Sequence, residues 1–146
     1  VVLIEQFRTS ALFNNDPAWM VEVVAGLIED GEDIEDVCRR ELKEESGLDA
    51  IGPLIPINMV YSTPGFCSER FYMYCAQVDA TNAAGIHGLK DDHEDIRVFT
   101  LPFPEALARW EAGKLPNSPT TIGLLWLALY RDRLRQNWAD PRGLRP

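Results

Sequence analysis

The chain has 146 residues, a length for one domain with a sizeable core. Its 46% hydrophobic and 25% charged residues are those of a globular protein and exclude wholesale disorder. A net charge of −9 repels nucleic-acid phosphates and argues against a nucleic-acid partner.

That charge is localised. Residues Glu22 to Glu45 hold ten acids and three bases, Lys90 to Arg97 hold four acids and two bases, and the remainder balances. A charge run of this kind ordinarily marks a solvated face. Cys38, Cys67 and Cys75 form neither a paired framework nor a zinc pattern, and point to a reducing, cytoplasmic setting. His87 and His93 are too separated for a His-based metal motif. No apolar run approaches the ~18 residues of a membrane span, so no membrane partner is expected. The chain opens at Val1, inside an apolar run and without an initiator Met, which reads as an N-terminal segment missing.

In chain order, strands are predicted at Val1–Phe7 and Trp19–Val24, then a helix at Asp33–Ser46 closed by Gly47. Strands follow at Ile55–Tyr61, Arg70–Val78 and Ile96–Leu101. A helix at Pro104–Ala112 is bounded by Gly113, and a last helix at Pro119–Trp138 opens with Ser118 as N-cap. Its Ile122, Leu125, Trp126, Leu129 and Tyr130 form a packing face for the core or a subunit. Arg131, Arg133, Arg135, Arg142 and Arg145 complement the dipole at its end. Without linker or repeat, the expectation is one domain over 1–146, an α/β or α+β layered fold.

The helix at Asp33–Ser46 breaks its own pattern. With Ile34 at zero on a wheel of ~100° per residue, Val37, Cys38 and Leu42 make an inward apolar stripe. Glu35–Arg39 and Asp36–Arg40 are expected as i,i+4 pairs on the outer face. Glu41 and Glu45, however, fall in the centre of the inward stripe, with Glu44 beside them. Inward carboxylates are costly unless paired or bound to a cation. Two at i and i+4 lie about 5–6 Å apart between Cβ atoms, close enough to share a hard divalent ion such as Mg²⁺ or Mn²⁺. A helix end projecting hydrated glutamates into solvent satisfies the same spacing, and geometry alone leaves both open.

From Gly26 the sequence reads Gly-x5-Glu32-x7-Arg40-Glu41-Leu42-x-Glu44-Glu45-x-Gly47-Leu48. This resembles the Nudix box at every fixed position. The resemblance implies a Nudix hydrolase: an α/β/α sandwich with a mixed β-sheet, and Mg²⁺-dependent cleavage of a diphosphate. By the family pattern Glu41, Glu45 and the Ala25 carbonyl are metal ligands. Glu44 is then a neighbouring ligand or catalytic group, Arg40 orients the carboxylates, Glu32 supports Arg40 and Gly26 allows close backbone approach.

The box specifies chemistry rather than substrate. Sixteen residues beyond Leu48 stands Pro64, in Ser62-Thr63-Pro64-Gly65-Phe66-Cys67-Ser68-Glu69-Arg70. Pro64-Gly65 alone reads as a β-turn. Together with Glu5-Gln6-Phe7-Arg8 and Glu94-Asp95-Ile96-Arg97-Val98, the segment resembles the ADP-ribose pyrophosphatase group of the family. The implied reaction is ADP-ribose plus water to AMP and ribose 5-phosphate. Arg8 then matches a diphosphate contact, Leu27 and Phe66 apolar contacts near the nucleoside or ribose, and Glu69 an acceptor for ribose or water. Leu27 and Phe66 are by residue type equally suited to a core, and Glu69 to a pair with Arg70. Glu94 matches a further metal ligand in a closing loop, and Asp92 stands where a catalytic base is usually Glu. Asp is one methylene shorter, so Glu44 or Glu69 are alternative bases. The resemblance also implies a homodimer. Competing readings are a hydrolase of another nucleotide sugar such as GDP-mannose, and a non-catalytic Nudix-fold binding module for ADP-ribose or NAD metabolites.

Overall fold

The computed structural model describes residues 1–89 and 94–139. Strand β1 (Val2–Phe7) is followed by a single helical turn, α1 (Thr9–Leu12), then β2 (Trp19–Glu22) and the box helix α2 (Ile34–Ser46). Strands β3 (Ile55–Tyr61) and β4 (Arg70–Cys75) form a hairpin, and short β5 (Gly85–His87) precedes β6 (Ile96–Thr100). Helices α3 (Phe103–Glu111) and α4 (Ser118–Ala139) complete the described chain. None of the described helices is long and apolar enough to cross a membrane.

The main sheet runs β2-β1-β6-β5, and β3-β4 is a separate two-stranded sheet. Every strand pairing among the described residues is antiparallel, so the α+β arrangement stands, while the parallel ladder of the expected mixed sheet is not found there. Central β1 alternates its apolar residues to both faces, as a strand covered on two sides must. Leu3 packs with Leu101, Ala106 of α3 and Leu124 of α4 on one face. Ile4 packs with Ile96, Val98 and Ala83 on the other, against Leu48 at the end of α2. Leu3, Ile4, Ile96 and Val98 are each at most 2% exposed, and burying such a side chain is worth about 1.5–3 kcal/mol. This two-sided core makes the layers of the sandwich.

Two strands end two or more residues earlier than their apolar runs suggest. β2 stops at Glu22, short of Val24, because the Val23 N–H donates to Thr120 Oγ1 at 3.1 Å and the Ala25 N–H to Glu45 at 3.0 Å. β4 stops at Cys75, and Val78 makes only an isolated bridge to Ala50. The last helix begins one residue early. Asn117, rather than Ser118, accepts from the Thr120 N–H through Oδ1 at 3.0 Å.

Candidate active site

Helix α2 is anchored at both ends, which sets where its acids point. Asp33 accepts from the N–H groups of Glu35 and Asp36, and Glu35 and Asp36 themselves complement the dipole in the first turn. At the other end Gly47 adopts φ 70°, and a Cβ there would lie 2.7 Å from the His87 ring. Gly88 N–H donates to the Glu44 carbonyl at 3.2 Å, tying the last turn to β5.

Glu45 is 4% exposed, deep on the inward face. Burial pushes its carboxyl up to about 7, against the hydrogen bond from Ala25 N–H, and the neighbouring Glu41 and Glu94 carboxylates push the same way. Glu41 is also raised, by burial first, with Arg40 opposing. A Cβ on Gly26 would lie 1.8 Å from Glu41 Cδ, so only glycine lets the backbone after β2 pass against this carboxylate.

Arg40 gathers the rest of the box. Its Nη1 donates to Glu41 Oε1 at 2.8 Å and Glu44 Oε2 at 3.3 Å, and its Nη2 reaches Glu32 at 3.4 Å and the Leu27 carbonyl at 3.5 Å. The expected Asp36–Arg40 and Glu35–Arg39 pairs do not form among the described residues. Arg40 turns inward to three carboxylates, and Arg39 donates to the Gly52 carbonyl at 3.0 Å.

Glu94 lies beside this cluster: its Oε2 accepts from Leu89 N–H at 2.8 Å, and its charge acts on both Glu41 and Glu45. Asp92 lies outside the described residues. Among the described residues no group of three His, Cys, Asp or Glu side chains converges closely enough to hold a metal ion. The donor set fits a hard divalent cation in kind, because a buried carboxylate beside two others is electrostatically unbalanced without one. The closed ligand geometry is not formed among the described residues.

Arg8 lies near enough to this cluster to feel the charges of Glu45 and Glu94. Its guanidinium is clamped side-on by Glu22, with Nη2–Oε2 at 2.6 Å and Nε–Oε2 at 3.1 Å. Glu22 is 3% exposed and also accepts from Asn117 Nδ2 at 3.1 Å and Gln6 Nε2 at 3.4 Å. Glu22 and Asn117 are missed by the sequence reading. The one available signal was an acid inside the apolar run Trp19–Val24.

A cavity of about 730 Å³ opens alongside, lined by Ala25, Gly26, Leu27, Glu41 and Glu69 and floored by apolar residues of α2 and β4. Leu27 is 85% exposed and Phe66 94%, which removes the core alternative for both. Phe66 stands on the β3–β4 connection outside the cavity lining, and Glu69 is exposed beside it. Arg70 stacks on the Tyr72 ring at 5.6 Å, and no Glu69–Arg70 pair forms among the described residues.

Comparison with known proteins places this arrangement. A family model described as the NUDIX domain matches residues 1–119. The chain is 45% identical over 139 residues to the ADP-ribose pyrophosphatase of Escherichia coli strain K12, covering 95% of this chain and 66% of that protein. It is 37% identical over 141 residues to the ADP-ribose pyrophosphatase of Haemophilus influenzae, covering 94% and 64%. Against the GDP-mannose pyrophosphatase of Enterobacter sp. strain 638 identity is 35% over 132 residues, covering 88% and 66%. The chain thus spans just under two thirds of the length of these relatives. With the box helix, its glycine approach and its arginine-centred carboxylates all in place, the chain belongs to the NUDIX family.

Proposed function

We propose that this domain hydrolyses the diphosphate of ADP-ribose to AMP and ribose 5-phosphate with Mg²⁺, or Mn²⁺ in its place. The observation that carries the reading is the carboxylate cluster of Glu41, Glu44 and Glu45, with Glu41 lining an open cavity and the Arg8 guanidinium near enough to feel the charge of Glu45. The likeness to proteins named ADP-ribose pyrophosphatase supports the substrate.

Glu41, Glu45, Glu94 and the Ala25 carbonyl would hold the cation. When bound, a divalent ion neutralises the diphosphate and lowers the pKa of a water. The other roles belong to the chain. Arg40 holds Glu41 and Glu44 in orientation by charge-assisted hydrogen bonds. A water oxygen attacks phosphorus, its proton passes to a carboxylate, and the bridging P–O bond breaks to release a phosphate monoester. Glu44, Glu69 and Asp92 are the bases proposed for that proton. Arg8 balances charge on the diphosphate, and Leu27 and Phe66 offer apolar surface to the nucleoside or ribose.

A homodimer suits the exposed apolar residues of the β1–β2 segment: Phe7, packed edge-on to Trp19 at 5.7 Å, and Leu12 and Phe13. A cytoplasmic setting suits three unpaired thiols.

GDP-mannose is the second reading, favoured by the 35% identical relative of that name. Assaying the purified protein on ADP-ribose and GDP-mannose with Mg²⁺ separates the two. We expect kcat/KM for ADP-ribose to exceed that for GDP-mannose at least tenfold, and the reverse order overturns the assignment. Absence of turnover on either substrate, with binding retained, would favour the non-catalytic module. All three box glutamates argue against that outcome.

A further inference from the structure

Arg8 is exposed over 40% of its side chain, yet its guanidinium is not free to wander. Glu22 takes its Nε and Nη2 edge in a fork-like contact, and among the described residues Nη1 carries no partner. Glu22 is itself immobilised. Its side chain is 4% exposed, and its carboxylate receives the Asn117 and Gln6 amides in addition to Arg8. Asn117 in turn is held by the start of α4, where its Oδ1 accepts from both the N–H and the hydroxyl of Thr120. Thr120, fully buried, accepts from Val23 N–H on the segment that leads to Ala25 and Gly26. One polar chain therefore runs from the head of α4 through Asn117 and Glu22 to the Arg8 guanidinium, and from the same threonine to the glycine approach of the box.

The sheet alone does not require this. β1 and β2 are joined by a ladder of four residue pairs, and Leu3 and Leu124 already pack β1 against α4. A buried carboxylate is an expensive way to join elements that apolar contact already joins, since an isostere without charge does it at less desolvation cost. What Glu22 adds is orientation. A guanidinium pinned on one edge presents the other in a fixed direction, and a pre-oriented donor loses less entropy on meeting an anion.

We propose that Glu22 and Asn117 are positioning residues, which hold Arg8 with its Nη1 edge towards the substrate diphosphate. This rests on the ADP-ribose hydrolase reading and adds to it residues that never touch the substrate.

The test is a double-mutant cycle on ADP-ribose turnover with Mg²⁺, using Arg8→Gln, Glu22→Gln and both together. Glu22→Gln removes the buried charge itself, and Arg8→Gln, which leaves Glu22 without its cation, is read against the double variant, in which both charges are gone. Asn117→Ser gives a second entry to the network: the serine oxygen still caps α4, but the donor to Glu22 is gone. We expect Arg8→Gln to lower kcat/KM about 100-fold and Glu22→Gln about tenfold, with the double variant within about twofold of Arg8→Gln alone. Asn117→Ser should lower it about threefold, and this loss should vanish in the Arg8→Gln background. As a readout independent of activity, the ¹⁵N-detected Arg8 Nε–H resonance should exchange faster with water in Glu22→Gln and Asn117→Ser. Multiplicative losses in the cycle, with an unchanged Nε–H signal, would mean that Glu22 serves only the fold and would overturn the proposal. If Glu22→Gln does not fold, Asn117→Ser decides by the same two criteria. A wild-type protein that leaves ADP-ribose intact fails the functional reading and removes the proposal with it. Wild-type turnover with an unaffected Arg8→Gln variant fails the diphosphate contact itself.

Discussion

Glu45 shows how a single side chain carries both a cost and a use. Its folded carboxyl lies at about 7 instead of 4.5, chiefly through burial, so the folded state prefers the protonated form. The stability linked to this group is fully present below pH ~4.5 and is lost as pH rises through ~7, a difference on the order of 3 kcal/mol. In the presence of EDTA, Glu45→Gln should therefore melt above wild type at pH 8 and close to it at pH 5, by differential scanning calorimetry. The same variant should lose turnover with Mg²⁺ at least 100-fold while its far-UV circular dichroism is unchanged. Retained activity would dismiss Glu45 as a ligand. Gly26 makes a sharper steric case. A methyl there would overlap Glu41 Cδ, so Gly26→Ala must displace either the backbone or the carboxylate. We expect a loss of activity of about 100-fold with a weaker response to Mn²⁺ in titration calorimetry. Both acids and the glycine were legible from helical periodicity and motif. Which oxygen each acid offers, and to which partner, was not.

At the scale of elements, α2 was readable because its signals are local. Asp33 caps it, Gly47 stops it, and the i,i+4 rows assign its faces. Removing the cap with Asp33→Ala should cost about 1 kcal/mol in urea unfolding. Gly47→Ala should cost more, because a β-carbon at φ 70° is strained and would also press on the His87 ring. Elements whose limits depend on distant partners were read less well. β2 is two residues shorter than its apolar run, since Thr120 and Glu45 intercept the N–H groups that would have extended the region. β5 has three residues and takes its strand character from pairing with β6. α1 is one turn, too short for a periodic signal. Arg39 and Arg40 forsake their expected i−4 acids because exposed ion pairs of that kind are worth only a few tenths of a kcal/mol. The inward carboxylates and a carbonyl offer stronger partners.

For the whole molecule, the −9 charge comes from two short segments, and its strained part is the box carboxylates rather than the exposed acids around them. A divalent cation that binds the folded cluster and not the unfolded chain must stabilise the fold. At a Mg²⁺ concentration of 100 times Kd the gain should be about 2.7 kcal/mol, seen as a concentration-dependent rise in melting temperature. Ca²⁺ should produce a similar trend, and NaCl at equal ionic strength a smaller one. Loss of the Mg²⁺ response in a Glu41→Gln, Glu45→Gln double variant would locate the effect at the box, and persistence of the full response would place the binding elsewhere.

By itself the sequence determined the box helix, its glycine stop, the pair of inward glutamates and the runs that become five of the strands. These depend on neighbours within a turn or two, where spacing is geometry. Only the tertiary structure decided that Glu45 is the box glutamate driven deepest, that Arg40 serves three carboxylates, and that Arg8 is held by Glu22 and Asn117. Arg8 and Glu22 are 14 residues apart, and Glu22 and Asn117 are 95 apart. Partners at such distances are chosen when β1, β2 and α4 close around a common core, and burial then removes the water that would otherwise compete for each charge.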